Sequence, residues 1–283
     1  MIGPTYTNFG NEESSMKRLA MQSKTVVLCA LLFLVVPAIS FAGGSTCSTA
    51  TAVIPDGRSL ELDYAAPSST VWYQFSATAN RSYSVEVRDD LDPDNGDFTV
   101  LFYAPPVSCS SPASNTNYTD THLIEPVAGP HATRFSFITS ASGAYYVSAQ
   151  NTSNAVGHYV TVTVTETTLY STNWSTFGGL NTTFALQNTT SQPINYALTV
   201  VATIGGTQTS SKTGTLGPIS TPSSYAGTST APSDLNLAVQ QAGNATVTHN
   251  GPPGSVQGWA LLTNYATTPY TLVPIPFGPM RGK

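Results

Sequence analysis

Charge is what this chain has least of: only 9% of its 283 residues are Asp, Glu, Lys or Arg. It has no basic cluster or stripe, so the phosphate contacts on which nucleic-acid binding depends have no source, and nucleic acid is not an expected partner. Signatures of catalysis are missing as well. No G-x-S-x-G marks a nucleophile elbow, and the four histidines, His122, His131, His158 and His249, are isolated rather than paired at zinc-ligand spacing. An enzyme is therefore not expected. No period of roughly 20 to 50 residues recurs, which excludes solenoids and propellers. No apolar run reaches the roughly 20 residues that a membrane span needs.

The longest apolar run is TVVLCALLFLVV, 12 residues from Thr25 to Val36, preceded by Lys17, Arg18 and Lys24. It suits the apolar region of a secretory signal peptide. Pro37 breaks the helix after it, and Ser40-Phe41-Ala42 puts small residues at the two positions a signal peptidase reads. Cleavage after Ala42 is expected, giving a secreted, extracellular protein with no transmembrane anchor; an uncleaved anchor is the competing reading. Residues 1–15 carry two acids and no base, whereas Met16-Lys17-Arg18 is how such a signal usually begins, so translation is expected to start at Met16.

From Gly43 onward, 241 residues hold seven Lys plus Arg and 13 Asp plus Glu, a net charge of −6. That length suits two ordinary domains, each able to bury a core. Solubility must come from the hydroxyls and amides of the abundant Ser, Thr and Asn. Cys29 leaves with the signal peptide, so the remaining pair, Cys47 and Cys109, is expected to form one disulfide in an oxidising compartment, with two free thiols as the alternative.

Strand signals dominate the first half: LELDY at 60–64, VWYQFSA at 71–77, SYSVEV at 82–87, FTVLFY at 98–103, ATRFSFI at 132–138, AYYVSA at 144–149 and HYVTVTVT at 158–165. Each is short, β-branched or aromatic, and bounded by turn residues. With no long 3.6-period segment, the pattern predicts antiparallel β-sandwiches, hence an all-β protein. The stretches VWYQFSATANRSYSV, DFTVLFY and RFSFITSASGAYYVSAQN resemble the bacterial pre-peptidase C-terminal domain over about residues 45–168. That family is a small jelly-roll-like sandwich appended to secreted enzymes. The resemblance implies an accessory or binding module without catalysis, in some members with calcium. Here it would follow the signal peptide directly, with no peptidase domain ahead of it.

After Glu166 the charge nearly vanishes, since residues 169–280 contain only Lys212 and Asp234 as charged side chains. This shift predicts a second domain over 169–283, following a first over 43–168 and a short linker around Thr167 to Thr172. Its expected strands are 181–188, 194–204, 244–250 and 256–264, forming a second, Ig-like sandwich. A short helix is expected at 233–242, with Ser233 as cap, Asp234 in the first turn and Gly243 as terminator. The T-H-N-G-P-P-G stretch before an aromatic strand resembles a module of secreted bacterial proteins of unassigned function.

Two features could bind a ligand. The stretch from Asp89 to Asp97 packs acids at 90, 92, 94 and 97 around Asn95-Gly96, so Asp90, Asp92, Asp94 and Asp97 are the candidate calcium ligands, although the EF-hand pattern is incomplete. The alternative is a solvated turn between strands. Among the aromatics, Trp72 and Trp259 lie inside strand patterns and are expected in cores. Trp174, in a looser Asn/Ser/Thr context, is the one expected at the surface, as a stacking platform for sugars. Seven N-x-S/T sequons, at Asn80, Asn117, Asn151, Asn173, Asn181, Asn188 and Asn244, would be glycan sites in a eukaryotic secretory pathway; the bacterial resemblance argues against that, and chance suffices in a chain this rich in Asn, Ser and Thr.

The expected function is that of a secreted, non-enzymatic interaction or structural protein, calcium-stabilised, whose partner is an extracellular protein, a polysaccharide or a cell-envelope component. The alternative is an accessory substrate-binding module for a separately encoded secreted hydrolase. If the four aspartates hold calcium, millimolar calcium should raise the unfolding temperature of the first domain by several degrees and leave the second unchanged. Calorimetry of wild type against Asp92→Asn with Asp94→Asn checks this. An equal shift in both proteins, or in neither, means that the loop is only a turn.

Overall fold

The computed structural model of this chain describes residues 44–89, 98–105, 109, 123–126, 132–219 and 227–279. In these residues the backbone is all β: 18 strands in four sheets, with only short 3-10 turns besides. No described helix is long and apolar enough to cross a membrane.

The first nine strands are β1 (Thr51–Ala52), β2 (Asp56–Ala65), β3 (Thr70–Ala77), β4 (Ser82–Asp89), β5 (Phe98–Tyr103), β6 (Leu123–Pro126), β7 (Ala132–Ile138), β8 (Gly143–Asn151) and β9 (His158–Glu166). They form two sheets, ordered β1-β3-β8-β5 and β2-β9-β4-β7-β6. All pairings are antiparallel except β1 with β3. Alternation drives the packing: in β9 Val160, Val162 and Val164 point inward while the residues between them are half-buried. Tyr73, Phe75 and Tyr145 from one sheet meet Tyr83, Val85 and Phe137 from the other. The ring centroids of Phe75, Phe137 and Tyr145 lie 5.7–6.5 Å apart. Burying one such ring is worth roughly 1.5–3 kcal/mol.

The Cys47–Cys109 disulfide is present, with the two Cα atoms 5.2 Å apart across a separation of 62 residues. It caps the outer side of β3, where Trp72 and Tyr103 pack 5.0 Å apart. Trp72 is thus buried as expected, but in a small satellite cluster beneath the disulfide.

The other nine strands are β10 (Leu169–Ser175), β11 (Leu180–Asn188), β12 (Ile194–Ile204), β13 (Gln208–Leu216), β14 (Gly227–Thr230), β15 (Ala242–His249), β16 (Val256–Asn264), β17 (Thr271–Pro276) and β18 (Gly278–Pro279). Their sheets run β13-β12-β15-β10-β18 and β14-β11-β16-β17. Leu198, Val200 and Val247 of one pack with Phe184, Leu186 and Ala260 of the other. No described strand pairing joins the two halves, and the sheets change over at Thr167-Thr168. Both residues are buried: the Thr167 amide donates to the Ser82 carbonyl at 2.8 Å, and Thr168 Oγ1 accepts from the Ser82 amide at 2.9 Å.

One device recurs in both halves, an asparagine closing a strand and pinning the chain beyond it. At the end of β8, Asn151 Nδ2 donates to the carbonyls of Ala65, Ala66 and Val156 at 2.9–3.2 Å, while Oδ1 accepts from the Ser153 amide. At the end of β11, Asn188 Nδ2 donates to Gln192, Leu216 and Gly217, and Oδ1 accepts from the Thr190 amide. Both side chains are fully buried, so these two sequons present no acceptor amide to an enzyme in the folded protein.

The expected helix at 233–242 does not form. A four-residue 3-10 turn, Pro232–Leu235, stands there instead, and β15 begins at Ala242. Asn236 and Gln240 adopt left-handed φ angles of 52° and 57°, which interrupt any helix. Asp234 accepts from the preceding Ala231 amide rather than capping a helical turn. Gly243 lies within β15, where a Cβ would fall 1.9 Å from the Val201 carbonyl oxygen.

Candidate functional site

The β16–β17 hairpin has two unlike faces. Val256, Gly258, Ala260 and Leu262 turn toward the core, joined by Ile275 and Phe277. Strand periodicity of two sends Trp259, Leu261 and Thr263 the other way, and their cross-strand partners Pro276, Pro274 and Leu272 lie beside them. At the hairpin tip Tyr265 and Tyr270 continue the row, their rings 5.3 Å apart and edge to face. This face is open: Tyr265 is 56% exposed, Tyr270 67% and Leu272 57%, while Trp259 is half-buried. On its other flank β11 pairs Asn181 with Thr263, Thr183 with Leu261 and Ala185 with Trp259, so an amide and hydroxyl column borders the apolar stripe. From Trp259 to Tyr265 the stripe is about 20 Å long at strand rise.

Each end of the stripe opens into a concavity. At the Trp259 end lies a cleft of about 490 Å3, walled by Thr165, Glu166 and Leu169 near the changeover and by Pro253, Trp259 and Pro276 on the second sandwich. At the Tyr265 end a groove of about 600 Å3 is lined by Asn181, Gly179, Gln240 and Tyr265. Both volumes fall in the range of small-ligand sites. Glu166 is held in place within the cleft. Its Oε1 accepts from Arg81 Nη1 at 2.8 Å and from the Tyr170 hydroxyl at 2.6 Å, and the Arg81 guanidinium sits 5.4 Å over the Tyr170 ring. Burial and the neighbouring Glu166 push the Tyr170 hydroxyl well above its usual range, so it stays a donor.

Two expectations about tryptophan reverse. Trp174 is buried, 1% exposed, and its Nε1 donates to the carbonyls of Val201 and Asn244 at 3.3 and 3.1 Å. The register of β10 against β15 shifts between Ser171 and Trp174; the indole turns inward, with Asn173 beside it exposed. It offers no platform for sugars. Trp259, expected in the core, is the tryptophan that lines the cleft.

Asp90, Asp92, Asp94 and Asp97 lie outside the described residues, between the end of β4 at Asp89 and the start of β5 at Phe98. Among the described residues, no three His, Cys, Asp or Glu side chains come close enough to hold a metal ion. His158 and His249 are both buried, one in each sandwich. Asp63 is buried beside the first core, and burial pushes its carboxyl up. No family model matches the chain, and no curated protein matches it.

His249 closes β15 beside the changeover. Burial holds its imidazole down to about 4, while hydrogen bonds to the backbone at Thr167 and Gly251 act upward. The folded state therefore binds the proton more weakly than the unfolded chain, whose value is 6.5. Stability from this group is whole above about pH 6.5 and is lost as pH falls toward 4, by about 2 kcal/mol between pH 7 and 4.5. Asp63 acts in the opposite sense, gaining stability as pH falls. Urea unfolding of wild type and His249→Gln across this window isolates the histidine: the variant should show the flatter loss, and superimposable profiles would contradict the assignment.

Proposed function

We propose that this chain is a secreted, non-enzymatic binding protein of the extracellular space or cell envelope, built of two β-sandwiches and engaging its partner through the outer face of the β16–β17 hairpin. The carrying observation is the open stripe from Trp259 to Tyr265 and Tyr270, with a concavity at each end. An exposed, contiguous apolar and aromatic face marks an interaction site more often than an accident of folding. In its first half, the resemblance to the pre-peptidase C-terminal domain supports an accessory role without catalysis, and calcium held by Asp90, Asp92, Asp94 and Asp97 would stabilise that half. The low charge and the signal-like run at 25–36 support export.

The aromatic face also favours the second reading, an accessory module that brings a separately encoded hydrolase to its substrate. Fractionation of expressing cells should place the protein outside the cytoplasm with Gly43 as its first residue. Purified material should turn over no chromogenic peptide, ester or glycoside. An N-terminus at Met1 or Met16, or turnover of any of these substrates, would overturn the reading.

A further inference from the structure

We propose that the outer face of the β16–β17 hairpin binds an uncharged polysaccharide, laid along the strands from the cleft at Trp259 to the tyrosines at the hairpin tip. This rests on the binding reading above and supplies its ligand class.

Three observations select that occupant. The first is chemical pattern. A sugar ring is apolar on its C–H faces and polar at its hydroxyl edges, and this face sets an aromatic and apolar stripe beside a column of amide and hydroxyl side chains, Asn181 and Thr183 on β11. Glu166 adds a carboxyl group to the lining at the cleft end, its Oε1 held by Arg81 and Tyr170.

The second is charge. The stripe and its bordering column carry no charged side chain, and Lys212 and Asp234 of this half face each other at 3.6 Å. Nothing here draws an anionic polymer or an anionic lipid surface. The third is shape. The stripe is straight, about 20 Å long, and runs out into a concavity at both ends, which suits a chain that continues past the site. Competing use of the adjoining edge is limited, because β17 is an edge strand whose Pro274 and Pro276 lack the N–H groups that strand addition by a peptide or a second copy would use.

The test uses the full chain and a named set of uncharged glycans: cellulose and chitin in pull-down, xylan and β-1,3-glucan in affinity electrophoresis. Polygalacturonate, phosphatidylcholine vesicles and light-scattering mass run alongside. The expected result is retention by at least one uncharged glycan, undiminished in molar salt. Binding should weaken about tenfold in Trp259→Ala and again in Tyr265→Ala with Tyr270→Ala, each stacked ring being worth about that much. Ile54→Ala, exposed on the first sandwich, should bind like wild type. Because these side chains lie off the core, melting temperatures should match wild type, separating lost binding from lost folding.

Retention by none of the four glycans, or retention that the aromatic variants leave intact, overturns the proposal. So does a dimer that Trp259→Ala dissociates or vesicle binding that it abolishes; either result would keep the binding reading and replace its ligand. Shortening of the bound glycan would instead overturn the non-enzymatic reading while sparing the site.

Discussion

The register of a single hairpin determines which face of the second sandwich meets solvent. Gly258 of β16 turns inward where a Cβ would lie 2.8 Å from Leu186 Cδ2 and 3.1 Å from the Phe277 ring, and the Phe277 amide donates to the Gly258 carbonyl at 2.8 Å. A larger residue at that position would have to displace the Leu186 side chain and press on the Phe277 ring. Because side chains alternate strictly, a slip of one residue would drive Trp259 into the core and expose Val256 and Ala260. Close packing at Gly258 therefore favours the register that keeps the open row of Trp259, Leu261, Tyr265 and their β17 partners outward.

Scarcity of charge shapes the remainder. With almost no ionic groups in the second half, solubility and edge protection fall to hydroxyls, amides and prolines. Strand β13 alternates exposed and half-buried Ser, Thr and Gln along an edge, and β17 relies on Pro274 and Pro276. Where ionic groups do occur they are used structurally: Arg81, Glu166 and Tyr170 form a network at the changeover between sandwiches, close to the Thr167 and Thr168 bonds with Ser82. The same network steadies the wall of the cleft that faces Trp259.

Much of this was legible in the sequence and some was not, for identifiable reasons. The β-branched run at 194–204 and the apolar run at 256–264 mark β12 and β16 to the residue, and the Cys47–Cys109 pair stands where the cysteine count puts it. Strands β10 and β13 carry no strand signal because LYSTNWS and QTSSKTGTL are rich in hydroxyls without hydrophobic alternation, and β17 carries none because TLVPIP holds two prolines. The reversal of Trp174 and Trp259 has a deeper cause. Strand β16 is apolar on both faces, with Val256 and Ala260 on one and Trp259 and Leu261 on the other, so its alternation has no phase until Gly258 meets Leu186 and Phe277. Trp174 sits in a polar stretch, and its burial accompanies a shift in strand register that composition does not encode.

The central claim, that Trp259 rather than Trp174 faces solvent on an open sheet, reduces to one optical measurement. Trp72 and Trp174 are 9% and 1% exposed, so acrylamide should quench only the emission of Trp259. Trp259→Phe should remove the quenchable component and leave a blue-shifted, shielded spectrum. A quenchable component that survives in Trp259→Phe would contradict the account, since it would mean that Trp72 or Trp174 meets solvent instead.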